Sequence, residues 1–229
     1  MVAIATGRST ASVLDYLRQL GWEETPIVCY NGALGYVASP GSSGAPRLTR
    51  VFADVLSAEA TRSLVTLAED CGLVLQYYDG ETGEVFANPR RDEHERLVAR
   101  YAELTGRPQT RVVDFEANML RGPSAKVLIL TEDPAGLIAE ADRRLPRGEF
   151  NYFPGSPHPF FVEFLAASAS KGAGLAQLCS HLGVPLERVV AFGDGENDKE
   201  FLEVAGLGLA MKNARPLAKA AAKKVLQVQ

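Results

Sequence analysis

The chain sets a hydroxyl, an ammonium and several carboxylates directly after short apolar runs, where an open parallel sheet presents its chemistry. Thr6, Gly7 and Arg8 follow the run Val2 to Ala5, and Asn31 and Gly32 follow Pro26 to Tyr30. Gly193, Asp194, Gly195, Glu196, Asn197 and Asp198 follow Val189 to Phe192, and Lys171 opens a helical stretch after the small-residue linker AASAS. The Thr6 hydroxyl and neighbouring backbone N–H groups can donate to a phosphoryl oxygen, while the Lys171 ammonium offsets charge on a phosphate and on an attacking carboxylate. Gly7, Arg8, Asn31, Gly32 and Asn197 accompany them as candidates for phosphate or substrate contact. Asp194 and Asp198, separated by a glycine-containing turn, can supply oxygens to Mg2+ or orient the lysine. Magnesium keeps several waters and takes one or two protein carboxylates, so two suffice.

Each piece alone has an ordinary explanation. A lone Thr-Gly-Arg is a helix-entry turn, a lysine at a helix start is a solvated residue, and an acidic turn caps the helix that follows it. Their order along the chain, each after an apolar strand or at a helix start, is what gives them a joint meaning.

The elements that must position these groups are readable from periodicity. Val2 to Ala5, Pro26 to Tyr30 and Val189 to Phe192 predict short, wholly apolar strands. Val13, Leu14, Leu17 and Leu20 recur at helical spacing up to Gly21, and Leu175, Leu178, Cys179 and Leu182 up to Gly183. Phe201, Leu202 and Ala205 mark another helix, Gly206 to Ala210 a strand, and an Ala/Lys-rich helix is predicted to end the chain. Apolar strands separated by amphipathic helices predict a parallel sheet covered on both faces.

The middle has another rhythm. After the loop SPGSSGAP, residues 47–55 predict a strand, Leu64, Leu67, Ala68 and Cys71 a helix, and Leu73 to Tyr78 with Glu84 to Ala87 a hairpin around DGETG. A helix at 92–104, a strand at 125–130, a helix capped by Asp133 with Pro134 first, and strands at 149–153 and 160–165 complete the block. The expected fold class is α/β: a Rossmann-like sheet domain from residues 1–55 and 166–229, with an α+β domain, residues 56–165, inserted into it.

Composition removes several function classes. The net charge is −4, the pI is near 5.5 and no Lys/Arg run exceeds two residues, which argues against a nucleic-acid backbone or an anionic membrane as partner. No apolar run has the length of a membrane span, and the first residues lack the pattern of a cleavable leader. Cys29, Cys71 and Cys179 lie far apart with no CxxC pair, as in proteins of the cytoplasm or another reducing compartment. His94, His158 and His181 are isolated and read as surface or packing residues, and Trp22 as a packing anchor. No GxGxxG follows a strand, and Lys199 stands where a calcium-binding EF-hand loop requires glycine. Oligomeric state is not encoded in any pattern of the sequence.

The segments VAIATGRS, YNGAL, SKGAGLAQL and VVAFGDGENDKEFLEVAGLGLAMKNA resemble, in order and over nearly the whole chain, the landmarks of Cof-like haloacid dehalogenase-type phosphatases. The resemblance implies a Mg2+-dependent phosphohydrolase that acts on small phosphorylated metabolites through an aspartyl-phosphate. It also implies that Thr6 binds the transferring phosphoryl, Lys171 stabilises it, Asp194 and Asp198 hold Mg2+, and Asn197 supports them. The block 56–165 then resembles the α/β cap of this subfamily, which closes over the site and sets substrate choice.

One departure outweighs these matches. The family's first motif, an apolar strand followed by DxDGT, precedes its TGR motif by roughly one βα unit; here only Met1 to Ala5 precede Thr6. That motif supplies the nucleophilic aspartate and the acid/base aspartate, so the resemblance implies a truncated chain, inactive as written, whose sheet lacks its central first strand. DGETG is no substitute: aligned with the motif it puts Tyr77 at the nucleophile position and Glu81 in place of threonine, and it reads as a hairpin turn. Two smaller departures are a missing proline before SKG and an end, KKVLQVQ, that stops short of the usual Asp/Gly-rich turn. The alternatives carried beside the phosphatase are a non-catalytic protein that binds phosphorylated metabolites or a partner, and a phosphomutase-like transferase.

Overall fold

The computed structural model describes residues 1–22, 24–41, 47–155 and 159–227. The chain forms two compact units, Met1–Asp54 with Ser168–Gln229, and Val55–Ala167. The first unit begins with β1 (Ile4–Ala5) and α1 (Thr10–Leu20). Ser9 caps α1 by accepting from Ser12 N, and Gly21, at φ 65°, ends it in the left-handed conformation that glycine adopts without strain. Val13 and Leu17 face inward, one helical turn apart. Next come β2 (Pro26–Cys29), β3 (Leu34–Ser39) and β4 (Arg47–Ala53). The sheet order is β1-β2-β3-β4, with β1 and β2 parallel and the other pairs antiparallel. β3 was not foreseen, because its sequence LGYVAS runs straight into the Gly/Ser-rich stretch that reads as loop.

The second unit contains α2 (Ala58–Asp70), β5 (Val74–Asp79), β6 (Val85–Ala87), α3 (Asp92–Thr105) and β7 (Thr110–Arg111). It continues with α4 (Glu116–Arg121), β8 (Ser124–Leu130), α5 (Pro134–Arg144), β9 (Phe150–Pro154) and β10 (Phe161–Ala166). Its six strands form one sheet in the order β7-β6-β5-β8-β10-β9. Leu64 and Leu67 of α2 and Leu137 and Ala141 of α5 pack on Leu75, Tyr77, Val127, Ile129, Val162 and Phe164 of the sheet. DGETG is the hairpin turn that periodicity predicts: Asp79 Oδ1 accepts from Glu81 N and Thr82 N, both at 2.8 Å, and the Tyr77 hydroxyl donates to Gly122 O. Inside the unit Lys126 Nζ meets Glu163 Oε2 at 3.0 Å, both side chains nearly excluded from water.

The chain returns to the first unit through α6 (Lys171–Leu182), β11 (Val190–Gly193), α7 (Lys199–Val204), β12 (Leu207–Ala210), α8 (Pro216–Ala221) and β13 (Lys224–Val225). These strands make a separate, all-parallel sheet, β11-β12-β13. The terminal helix predicted from the Ala/Lys-rich stretch is corrected: it stops after six residues, and Lys224 and Val225 join the edge of β12, with Leu226 N donating to Ala210 O. Strand pairing outweighs the helix propensity of alanine there. The two crossings between units start and end side by side, since the Ser168 hydroxyl donates to Asp54 Oδ1 at 2.8 Å.

The mixed α/β architecture agrees with the expected fold class, but the expected cover on both faces does not extend to β11. Ala191 on one face packs with Leu175, Cys179 and Leu202 of α6 and α7. Val190 and Phe192 on the other face stay exposed. Trp22 is 39% exposed, so its ring is only in part a packing anchor. His94 is buried: its Nδ1 accepts from Arg90 N and its Nε2 lies 3.0 Å from Gly72 O, a structural role. His158 falls outside the described residues. Among the described residues no helix is long and apolar enough to cross a membrane.

Candidate active site

All nine residues singled out in the sequence lie in the first unit, at the carboxyl ends of β1, β2 and β11 and the start of α6. Asn31 joins several of them. Its backbone N donates to Thr6 O at 3.0 Å, and its side-chain Oδ1 accepts from Asn197 Nδ2 at 2.8 Å. Tyr30 and Asn31 both have positive φ, 52° and 54°. Asparagine tolerates that region, whereas tyrosine adopts it only where the surroundings impose it. Tyr30 N is held by Arg8 O, so the turn after β2 is fastened to the segment after β1.

Gly32 shows why glycine follows. A Cβ built there would stand 1.9 Å from Ser170 O, and φ is 106°. The turn therefore abuts the first residues of α6 through backbone alone. Ser170 caps that helix, its Oγ accepting from Ala173 N, and so fixes where Lys171 begins.

Lys171 is buried, 8% exposed, and its Nζ donates to Asp198 Oδ1 at 2.6 Å. Asp198 Oδ2 accepts from Asp194 N and Gly195 N, each at 2.9 Å. Both carboxylate oxygens of Asp198 are thus engaged by protein donors, one holding the lysine and two N–H groups fixing the loop. The Asp194 carboxylate is exposed. Of the two functions open to this acidic pair, orienting the lysine is what the geometry of Asp198 provides.

Thr6 Oγ1 accepts from Arg8 N at 3.2 Å, which leaves its hydroxyl proton available to an acceptor. The Arg8 guanidinium lies 5.8 Å from the centre of the Tyr16 ring, at the exposed margin. Cys29 is not a nucleophile: burial pushes its thiol up to about 12.

Among the described residues no group of three or more His, Cys, Asp or Glu is placed to hold a metal ion. One exposed carboxylate, Asp194, suits a hard cation that keeps most of its waters and does not make a closed protein site. Sequence reasoning missed the N-cap Ser170, which its position just before Lys171 signals, and the Asn31–Asn197 clasp, which no local pattern signals.

A family model described as haloacid dehalogenase-like hydrolase matches residues 1–229. A putative phosphatase of Streptococcus pyogenes is 27% identical over 227 residues, covering 98% of this chain and 79% of its own length. The 5-amino-6-(5-phospho-D-ribitylamino)uracil phosphatase YitU of Bacillus subtilis is 27% identical over 212 residues, covering 93% and 74%. The crystal structure of a haloacid dehalogenase-like hydrolase from Bacteroides thetaiotaomicron superposes with a TM-score of 0.77 at 28% identity, over 97% of this chain and 79% of that one.

Proposed function

The chain belongs to the haloacid dehalogenase-like hydrolase family, and from that premise we propose that its first unit is the phosphoryl-binding site of a Mg2+-dependent phosphohydrolase for small phosphorylated metabolites, of which these 229 residues do not include the DxDGT nucleophile. The observation that carries this reading is the buried Lys171, aimed by Asp198 and set beside the Asn31–Asn197 clasp that ties three chain segments together. A cation held in place before the ligand arrives stabilises a phosphoryl group without reorganising. Thr6 donates its hydroxyl to a phosphoryl oxygen, and the backbone around Gly7 and Gly32 allows close approach. Asp194 would hold Mg2+, which when bound neutralises phosphate charge. The second unit, in this reading, selects the substrate.

Turnover needs a carboxylate free to attack phosphorus. Asp198 is locked by three donors, and the sequence contains no DxDGT. A non-catalytic phosphometabolite-binding protein is therefore the second reading.

The purified chain with Mg2+ is expected to show no metal-dependent hydrolysis of an aryl phosphate, and to bind inorganic phosphate with an affinity that falls at least tenfold in Lys171→Ala. Hydrolysis that survives purification and disappears in Asp194→Ala contradicts the first expectation. Joining a strand–DxDGT–helix segment from a relative to Val2 should switch on Mg2+-dependent hydrolysis. If that fusion folds and binds Mg2+ yet hydrolyses no member of a broad phosphate-ester panel, the binding-protein reading replaces the phosphohydrolase.

A further inference from the structure

The second unit contains a cavity of about 450 Å³, lined by none of the nine residues singled out in the sequence. Its lining comes from β6, from β7 and the segment after it, and from α4. Small-molecule sites begin at roughly 300 Å³, so this one has room for a ligand of a few rings.

The walls are anchored. Phe86 of β6, only 5% exposed, and Val112 give an apolar side, and Val112 N donates to Ala87 O at 2.9 Å. α4 gives another side. It buries Met119 in the core, and the pair Arg62–Glu116 ties it to α2. Asp114 Oδ1 accepts from Glu116 N at 3.1 Å, which fixes the turn into that helix.

Asn118 gives the cavity its chemistry. It is 3% exposed and lines the cavity, yet its side-chain amide bonds to no group among the described residues. Nearly all buried polar side chains have a partner, because an amide taken out of water without one costs folding free energy. A carboxamide offers an acceptor beside a donor, the arrangement with which asparagine reads a nucleobase through two parallel hydrogen bonds.

The rim narrows the class of ligand. Glu84 and Asp114 bring exposed carboxylates and Arg121 an exposed guanidinium. Two carboxylates against one guanidinium disfavour a phosphate, and the guanidinium disfavours an ammonium. A neutral ring meets neither objection, and its faces can cover the apolar side at Phe86 and Val112.

From the unpartnered buried amide and the mixed charge of the rim, we propose that the second unit holds a binding site for a neutral, flat nitrogen heterocycle of the nucleobase class, with Asn118 reading its donor–acceptor edge. The site lies inside one unit, so the inference does not depend on the phosphohydrolase reading.

The test titrates the full chain with adenosine and with uridine, each of which sets an N–H beside an acceptor on a planar ring. At least one should bind with a dissociation constant below about 1 mM and shift the amide resonances of Phe86, Val112 and Asn118. Adenosine dimethylated on its amino group and uridine methylated on its ring N–H keep the rings and lose the donor; they should bind at least tenfold more weakly. Asn118→Asp, the same shape without the N–H groups, should also weaken binding at least tenfold. Asn118→Leu should abolish it while leaving the urea midpoint of the free chain unchanged or raised, because a buried polar group without a partner is removed. A purely structural asparagine would lower that midpoint and leave nucleoside affinity alone. Lys171→Ala should bind the nucleoside as the parent chain does, which separates this site from the phosphate site of the first unit. Any of four results overturns the proposal: neither nucleoside binds, the methylated nucleosides bind equally well, both Asn118 variants retain full affinity, or Lys171→Ala weakens nucleoside binding.

Discussion

The two units spend similar apolar sequence in different ways. In the second, every residue of β5 and β8 is buried, because each strand has a partner on both edges and cover on both faces. In the first, β11 alternates between exposed and buried and β1 is buried only in part, although Val-Ala-Phe-Gly and Ile-Ala are as apolar as anything in β8. Burial therefore reports a strand's neighbours rather than its own composition. The unit with the complete sheet holds none of the nine residues singled out in the sequence, and the unit with the divided sheet holds them all.

The largest effect that can break this contrast comes from paired core substitutions. Phe164→Ala removes a ring that is 0% exposed and should cost about 3–5 kcal/mol in urea unfolding. Phe192→Ala, with its ring already in water, should cost less than about 1 kcal/mol. Equal losses would mean that the open face of β11 is covered in solution.

The two buried ion pairs sharpen it next. Lys126→Met leaves Glu163 buried without its cation and should destabilise by about 3 kcal/mol or more. Lys171→Met leaves Asp198 with two backbone donors, so its stability loss should be the smaller, on the order of 1–2 kcal/mol. Stability curves that rank the other way contradict the reading of Asp198 as a loop lock.

The smallest effect is the pH dependence that Lys126 contributes in the second unit. Burial alone would lower the Lys126 pKa, but the charge and hydrogen bond of Glu163, with a contribution from Tyr101, outweigh it and the net direction is upward. A lysine raised on folding contributes fully below its unfolded value of about 10.4 and loses that contribution as pH climbs through the folded value. Unfolding midpoints should therefore fall above about pH 10.4, and fall less in Lys126→Met. An identical alkaline slope in both proteins would remove the ion pair as its source.

What was legible in the sequence was local. Asp133 announces a helix start, Gly21 and Gly183 announce stops, and DGETG announces a hairpin. What was not legible depends on partners distant in the chain. β3, β7 and β13 exist because a neighbouring edge accepts them, and LGYVAS, TR and KV carry little strand signal of their own. The sequence offered two roles for Asp198, a metal ligand or an orienter of the lysine, and only the fold shows the donors around its carboxylate. Asn31 and Asn197 stand 166 residues apart, and only the fold makes them neighbours.

The hydrogen bond between Ser168 and Asp54 has a consequence for how the chain can be edited. The insertion leaves and re-enters its host at a single spot, as a bracketed phrase opens and closes within one line of text. Residues 55–167 can therefore be exchanged for a short turn, or for another module of different selectivity, without moving either end of the host's backbone. The residues proposed to bind phosphate lie in the host alone, so phosphate affinity is expected to persist in such a minimal chain.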